Sequence, residues 1–393
     1  MTPRPIAIVG AGPAGSLAAW HLARRGAPVL LFDPSHPREK PCGGGLTGRA
    51  LALAAEAIDP AALEGVPVAA ARFGSGDFAR GPAAEFEVAA PGASPLLIVS
   101  RRAFDGALLE AACRGGATHV PERVRDVETS AAGVVVRTDR GAHEAQWVLG
   151  ADGSNSLVRK RLLGGFRRNQ LSLATGVYAH GLSSRTVIVH TVADPPGYIW
   201  SFPRPDHLAV GICAPADRET PARLRAVLER WLAVAIRPGA ALEPYSWPIP
   251  SLAYRDFAGT APAGPRWMLL GDAAGLVDPL TREGIFFALE SGRLAAEALL
   301  GSGEPAAAYS EGVRRRIYPE LARAAALKAR FFSSTFADLL VDGLSRSAAI
   351  RRVMVDLIAG RQPYRTLRRR LLATFEVRLA WQLAKLQVRG MRG

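Results

Sequence analysis

A two-part α/β fold (α+β in its layering) with a helical C-terminal segment is predicted by three observations on the 393-residue chain. A short apolar run, Ile6 to Val9, leads into a glycine-rich turn and then a helical pattern. Apolar runs followed by small and acidic turn residues return at Trp147 to Leu149 and at Leu269 and Leu270. Between the last two, residues 171 to 213 hold several short apolar or alternating runs bounded by Pro and Gly, the pattern of strands. Strand, turn and helix interrupted by sheet-rich insertions describe a Rossmann-type domain interleaved with a second domain.

Along the chain, Gly10, Gly12 and Gly15 have the spacing G-x-G-x-x-G with Pro13 and Ala14 inside it, and Ser16 to Arg25 reads as a helix that Gly26 stops. Gly10 allows a tight turn, Gly12 lets backbone approach a pyrophosphate, and Gly15 lets helix and strand pack, with the helix N-terminus toward the phosphates. Val29 to Phe32 is a second buried strand ending at Asp33, 23 residues after Gly10, where a dinucleotide fold needs a carboxylate for the ribose hydroxyls. Lys40, Pro41, Cys42, Gly43, Gly44 and Gly45 follow.

Arg101 opens the helix R-x-x-F-D with Phe104 and Asp105, and Gly150 to Arg159 reads G-A-D-G-x-x-S-x-x-R around Asp152. Tyr198, Trp200 and Phe202 alternate along a strand and therefore share one face. Pro221 to Ala235 reads as a helix and Trp247 to Pro250 as a short extended segment. Gly271 and Asp272 in L-L-G-D-A-A-G, then Pro279 and Glu283-Gly284-Ile285, give strand, loop and long helix. From Pro305 the pattern is helical, and Leu367, Leu371, Leu372, Phe375, Leu379, Leu383 and Leu386 recur opposite an Arg-rich face. The expected division is residues 1–70, 96–165 and 263–300 for the nucleotide domain, 71–95 and 166–262 for the sheet-rich domain, and 301–393 for the helical region.

Composition narrows the function classes. Apolar residues make up 49% and charged residues 21%, which excludes a disordered or collagenous chain. The net charge is +14, but nine of those charges fall after residue 350, where eleven Arg or Lys face only Asp356 and Glu376. The remainder is too dilute for a nucleic-acid enzyme, and no nucleic-acid-binding motif appears. Cys42, Cys113 and Cys213 are odd in number and widely spaced, so neither a disulfide framework nor a metal site is expected. Met1 to Pro5 leave no room for a targeting peptide before the first apolar run, and no long uncharged apolar run occurs, so a cytoplasmic chain that does not span a membrane is expected.

The Gly10–Gly15 turn, the Asp152 segment and the Gly271–Ile285 segment together resemble flavoproteins of the para-hydroxybenzoate hydroxylase type. P-C-G-G-G at Pro41 to Gly45 and P-x-x-Y-x-W-x-F-P at Pro195 to Pro203 resemble, within them, the geranylgeranyl reductase family. The resemblance implies non-covalent FAD held by Gly10, Gly12, Pro13, Ala14, Gly15, Asp33, Cys42, Gly43, Gly44, Arg101, Asp152, Gly271, Asp272, Gly284 and Ile285. It places Asp272 by the ribityl chain and the helix start at Gly284 by the flavin N1 and C2 carbonyl, where a helix N-terminus favours the anionic reduced ring. It implies an electron donor that visits transiently, NADPH, NADH or ferredoxin, rather than a stably bound nicotinamide.

Tyr198, Trp200 and Phe202 then form either an apolar sheet face packed on a helix or the aromatic wall of a tunnel for an isoprenoid bound by apolar area. Cys42 is either a small buried hydrophobe or the catalytic residue, brought beside the flavin by the following glycines to position an alkene or donate a proton. Two positions depart from the family: Arg282 stands where Gly is usual, and Cys213 replaces a Gly after the aromatic strand. The implied activity is FAD-dependent saturation of double bonds in a prenyl chain on a lipid, quinone or chlorophyll-type isoprenoid. The alternatives are an aromatic monooxygenase or halogenase, for which Trp247 to Pro250 supply only a W-P-I-P fragment, and a flavin-bound electron carrier at the membrane. The basic C-terminal helix either covers the core or meets anionic lipid headgroups.

Overall fold

The computed structural model describes residues 3–88, 96–259, 261–331 and 334–374. Ile6–Val9 sits inside a six-stranded sheet, parallel to Val29–Phe32 on one side and to Trp147–Gly150 on the other. Thr118–Val120 extends the first side, and Trp267–Leu269 with the short antiparallel Ala263–Gly264 extends the second. All four residues of Ile6–Val9 are buried, as a parallel strand covered on both faces must be. The helices Pro13–Ala23 and Ile285–Leu300 pack together beside this sheet, and a three-stranded sheet of Val124–Ser130, Gly133–Thr138 and Ala142–Ala145 adds Val127, Val134 and Val136 to the same core.

The second large sheet has seven strands in the order Ala241–Pro250, Leu171–His180, His207–Pro215, Gly197–Pro203, Thr186–Val192, Ala70–Ser75 and Ala83–Glu87. Its pairings are antiparallel except between Thr186–Val192 and Ala70–Ser75. The period of two sorts its faces. Ile199, Val210 and Ile212 pack with Leu224, Val227, Leu228 and Trp231 of the amphipathic helix Pro221–Ala235. Trp200 falls in a separate cluster with Tyr198, Phe202, Tyr245 and Ile249. A small sheet of Gly45–Thr47, Leu96–Val99 and Gly65–Pro67 joins the two halves.

The expected elements are present with shifted ends. The first helix starts at Pro13 rather than Ser16, because Pro at N1 loses no hydrogen bond and Gly12 serves as N-cap. Trp247 to Pro250 is the end of a ten-residue strand whose first half, with Glu243 and Pro244, lacks any strand signal. After the long helix come Pro305–Arg316, Tyr318–Phe331, Ser334–Arg346, Ala348–Ile358 and Tyr364–Leu372. Val341, Leu344, Ile350 and Met354 pack on Phe73, Phe86 and Val187 of the seven-stranded sheet. Tyr364 is buried and donates its hydroxyl to Asp278 at 2.8 Å, which anchors the last described helix on the turn before Ile285–Leu300. Leu367 and Leu371 are half-buried and Leu372 is exposed, while Phe375, Leu379, Leu383 and Leu386 lie outside the described residues. Among the described residues no helix is long and apolar enough to cross a membrane.

Candidate active site

A cleft of about 240 Å³ runs over the carboxyl ends of the parallel strands, past Asp33, Gly12, Asp152 and Asp272. Gly10 has φ +104°, and a Cβ there would lie 2.4 Å from the Ala151 carbonyl oxygen; one at Gly15 would lie 1.9 Å from that of Gly10. These two glycines are demanded by the protein itself. A Cβ at Gly12 would meet nothing within 4 Å, so its bareness serves whatever enters the cleft. The side chains of Thr47, Ser100, Ser156, Thr220 and Glu304 cap other helices, whereas Pro13–Ala23 and Ile285–Leu300 begin at Gly12 and Gly284 with no side-chain cap. Both open starts border cavities, where free N–H donors and the positive dipole end suit a pyrophosphate and an anionic ring edge. The donor set fits FAD.

The three carboxylates of the cleft differ in what already holds them. Asp33 accepts from the Ala11 amide at 3.0 Å, His36 Nδ1 at 2.7 Å, and the Ser35 amide and hydroxyl, both at 2.8 Å. Burial opposes its charge, yet these donors, His36 foremost, hold its pKa well below the ordinary carboxylate range. Asp152 accepts from Ser156 Oγ at 2.5 Å and the Leu157 amide at 2.7 Å, so it organises the start of the helix Leu157–Leu162; burial raises its pKa against those bonds. Asp272 pairs with Lys40 Nζ at 3.0 Å.

From Asp33 a buried chain of charges leads toward Cys42. His36 Nε2 lies 3.3 Å from Asp105 Oδ2, and Arg101 grips Asp105 with Nε at 2.8 Å and Nη2 at 2.6 Å. Arg101 also meets the Cys42 thiol, and although burial disfavours its charge, Asp105 holds its pKa above the usual value. Arg101 borders both cavities with its guanidinium committed to these two partners. Arg101 and Asp105 stand in the R-x-x-F-D motif, whereas His36 carries no sequence signal beyond its place after Asp33.

The loop at Cys42 is seated by residues at the end of the strand Gly197–Pro203. Cys42 is half-buried, and its sulfur accepts from the Gly44 amide at 3.3 Å. Arg204, wholly buried, donates to the Cys42 carbonyl at 2.8 Å, to Glu39 at 2.9 Å and to the Val99 carbonyl. Glu39 also accepts from Ser100 Oγ and the Arg101 amide. A Cβ on Gly43 would lie 2.2 Å from the Phe202 ring, and Gly44 has φ +76° with Val99 and Arg204 against it. The planar ring that Gly43 admits so closely is therefore Phe202, a partner not visible from the local sequence.

Beyond the loop opens a second cavity of about 280 Å³, lined by Cys42 to Gly45, the aromatic strand, Trp247, Ile249 and the helix start at Gly284 and Ile285. Tyr198, Trp200 and Phe202 all face it. Trp200 lies over Gly211, where a Cβ would come within 2.3 Å of its ring, and Tyr198 stands opposite Cys213. Met354, Leu357 and Ile358 of the helix Ala348–Ile358 wall one side, a contribution that helical periodicity alone does not reveal. Arg282 borders the same cavity with a left-handed backbone, φ +63°, the conformation that explains why Gly is usual there.

The family model described as FAD binding domain matches residues 4–299. A menaquinone reductase of Mycolicibacterium smegmatis is 32% identical over 76% of this chain and 76% of its own length. A geranylgeranyl diphosphate reductase of Rhodobacter capsulatus is 30% identical, again over 76% of each chain. In structure, a geranylgeranyl bacteriochlorophyll reductase-like protein of Thermoplasma acidophilum superposes with a TM-score of 0.78 at 22% identity, covering 95% of this chain and 99% of that one, which establishes a shared fold.

Proposed function

Because the chain belongs to the FAD binding domain family and, within it, to the geranylgeranyl reductases, a group of FAD-dependent oxidoreductases, we propose that it saturates double bonds of a prenyl chain borne by a lipid or quinone. The observation that carries this reading is the continuity of one cavity from the Tyr198–Trp200–Phe202 wall to Cys42 and the uncapped helix start at Gly284. An isoprenoid tail offers no hydrogen-bonding groups, so apolar area must hold it, and the aromatic face provides that area.

In this reading residues 1–70, 96–165 and 263–300 hold the cofactor, and residues 71–95 and 166–262 hold the substrate. The Gly10–Gly15 turn and the adjoining helix start take the pyrophosphate, and the Gly271–Asp272 turn takes the ribityl chain. Reduced FAD, held by these residues, would supply the hydride that saturation of an alkene requires. An isolated alkene accepts hydride poorly, so the task of the chain's own residues is alignment and exclusion of water. The aromatic wall orients the tail, Met354, Leu357 and Ile358 close it from solvent, and Cys42 either positions the alkene or gives a proton to the second carbon. The electron donor, NADPH, NADH or ferredoxin, docks transiently, and the exposed Arg365, Arg368 and Arg369 with Leu372 meet an anionic membrane surface from which the substrate is drawn.

The test is anaerobic incubation of the FAD-loaded protein, chemically reduced, with prenyl quinones and prenyl lipids, followed by mass spectrometry. Products heavier by two hydrogens are expected. Unchanged substrates, or substrate-stimulated consumption of oxygen in air, would replace the reductase reading by a carrier or a hydroxylase.

A further inference from the structure

The turn before Ile285–Leu300 concentrates positive charge that the family motif does not contain. Arg282 Nη1 and Lys328 Nζ each donate to the same acceptor, Ser251 Oγ, at 2.5 Å. The two cationic nitrogens therefore lie within about 5 Å of each other, a distance at which like charges repel strongly away from bulk water. Ser251 is 2% exposed and neutral, and Arg282 Nε is buried without a hydrogen-bond partner. Among the described residues, no carboxylate forms an ion pair with either cation. Burial and then Arg282 push the Lys328 pKa down to about 8, with Cys213 and Asp217 acting in the opposite sense. Two cations drawn to one hydroxyl and partly removed from water form an arrangement that an anion relieves. Arg282 borders the aromatic cavity beside Tyr198, so the anion would lie at the cavity rim.

We infer that Arg282, Lys328 and Ser251 form an anion subsite at the rim of the aromatic cavity, which takes the phosphoryl head group of a prenyl substrate. The guanidinium fork and the ammonium supply charge-assisted donors of the kind phosphoryl oxygens take, and the Ser251 hydroxyl is free to turn its proton toward them. The assignment rests on the prenyl-reductase reading, and it selects an anionic head over a neutral quinone.

Two measurements on FAD-loaded, full-length protein test it, with flavin absorbance checked for each variant. Calorimetric titration with inorganic pyrophosphate at low salt should detect binding to the parent and a loss of about tenfold or more in Arg282→Gly and in Lys328→Met, with Lys328→Arg recovering part of it. Anaerobic reduction of a prenyl diphosphate and of the prenyl alcohol with the same chain should show a preference for the diphosphate in kcat/KM that collapses by a similar factor in the same variants, and pyrophosphate should compete with the diphosphate. Unchanged pyrophosphate affinity and unchanged preference in both variants would overturn the subsite. Pyrophosphate that binds without competing would make it a site for free anions and overturn the head-group assignment. If the parent reduces neither prenyl compound, the reductase reading fails and takes the head-group assignment with it, while variant-sensitive pyrophosphate binding still supports the subsite.

Discussion

The wholly buried guanidinium of Arg204 donates to the backbone carbonyl of Cys42 at 2.8 Å, although the two residues stand 162 positions apart. Arg204 follows the aromatic strand directly, and Cys42 opens the glycine loop, so the strand and the loop are fixed to each other by one side chain. The same guanidinium neutralises Glu39, which in turn receives donors from the start of the helix Arg101–Arg114.

Removing Arg204 should therefore cost more than a hydrogen bond. Arg204→Ala leaves Glu39 without its ion partner and the Cys42 carbonyl without its donor, and loss of one member of a buried pair typically costs about 3 to 5 kcal/mol. Arg204→Lys keeps the charge but not the fork and should fall between. Urea denaturation of parent and variants measures this. A loss below about 1 kcal/mol for Arg204→Ala would mean the loop holds its place without it.

Gly12 and Gly15 should fail in different ways when given a methyl group. Gly15→Ala drives a Cβ into the Gly10 carbonyl and should lower thermal stability whether or not FAD is present. Gly12→Ala has room in the protein and φ −72°, which any residue adopts, so the variant should fold as the parent does. Its methyl enters the cleft instead, and FAD affinity should fall about tenfold or more, the equivalent of about 1.4 kcal/mol. Flavin fluorescence titration and thermal melts separate the two; full FAD affinity in Gly12→Ala would remove the pyrophosphate from that turn.

These contrasts indicate what the sequence could and could not disclose. The Gly10–Gly15 turn, the Asp33 strand and the shared face of Tyr198, Trp200 and Phe202 were legible because each is a local pattern whose spacing encodes its geometry. Arg204, His36 and Lys40 were not, since their roles depend on partners brought from distant parts of the chain, and an isolated Arg, His or Lys has no periodicity to read. Gly43 shows both halves of this: the need for glycine was visible, but its partner, Phe202, was not. The helix Ala348–Ile358, which carries Met354, Leu357 and Ile358, reads as amphipathic in either role, so only packing identifies it as a wall of the cavity.

The buried chain Asp33, His36, Asp105 and Arg101 gives a pH dependence of known sign. Burial works against the charge on His36, but hydrogen bonds to Asp105 and Asp33 outweigh it and raise its pKa above the ordinary value of about 6.5. A raised histidine contributes stability that is complete below about 6.5 and is lost as pH rises through the folded value. Asp33 and Asp105 are both depressed, so their contribution is present above about 4 and lost as pH falls. The network should stabilise most between about 4 and 6.5. The difference in melting temperature between parent and His36→Asn should be largest near pH 6 and should shrink toward pH 9. A constant difference would mean that His36 acts only as a neutral hydrogen-bonding ring.

Cys42→Ser should retain FAD, because Arg204 seats the loop through the Cys42 carbonyl, which the substitution keeps. If the thiol positions the alkene or supplies its proton, transfer to substrate should slow by about tenfold or more while reduction of the bound flavin is unchanged, the scale expected for loss of a general acid. Stopped-flow separation of the two half-reactions decides it. Equal slowing of both halves, or none, would assign the thiol to packing beside Arg101.

The last described helix should be divisible into a structural face and a surface face. Tyr364 is tied to Asp278, and Arg370 to Asp356 and Gln362, so these residues hold the helix against the fold. Arg365, Arg368 and Arg369 are exposed, and Leu372 beside them is 53% exposed, a combination suited to an anionic bilayer surface. Each basic residue near such a surface contributes about 1 kcal/mol. Reversal of Arg365, Arg368 and Arg369 to Glu should therefore weaken co-sedimentation with phosphatidylserine-containing vesicles by more than an order of magnitude, with an unchanged melting temperature. Added salt should weaken the parent's binding in the same direction, since exposed charges are screened beyond about 8 Å at physiological ionic strength. Reversal of Arg370 should instead lower stability, because it sets a carboxylate against Asp356. Vesicle binding by the triple variant equal to that of the parent at low salt would leave this helix as a cover for the domain alone.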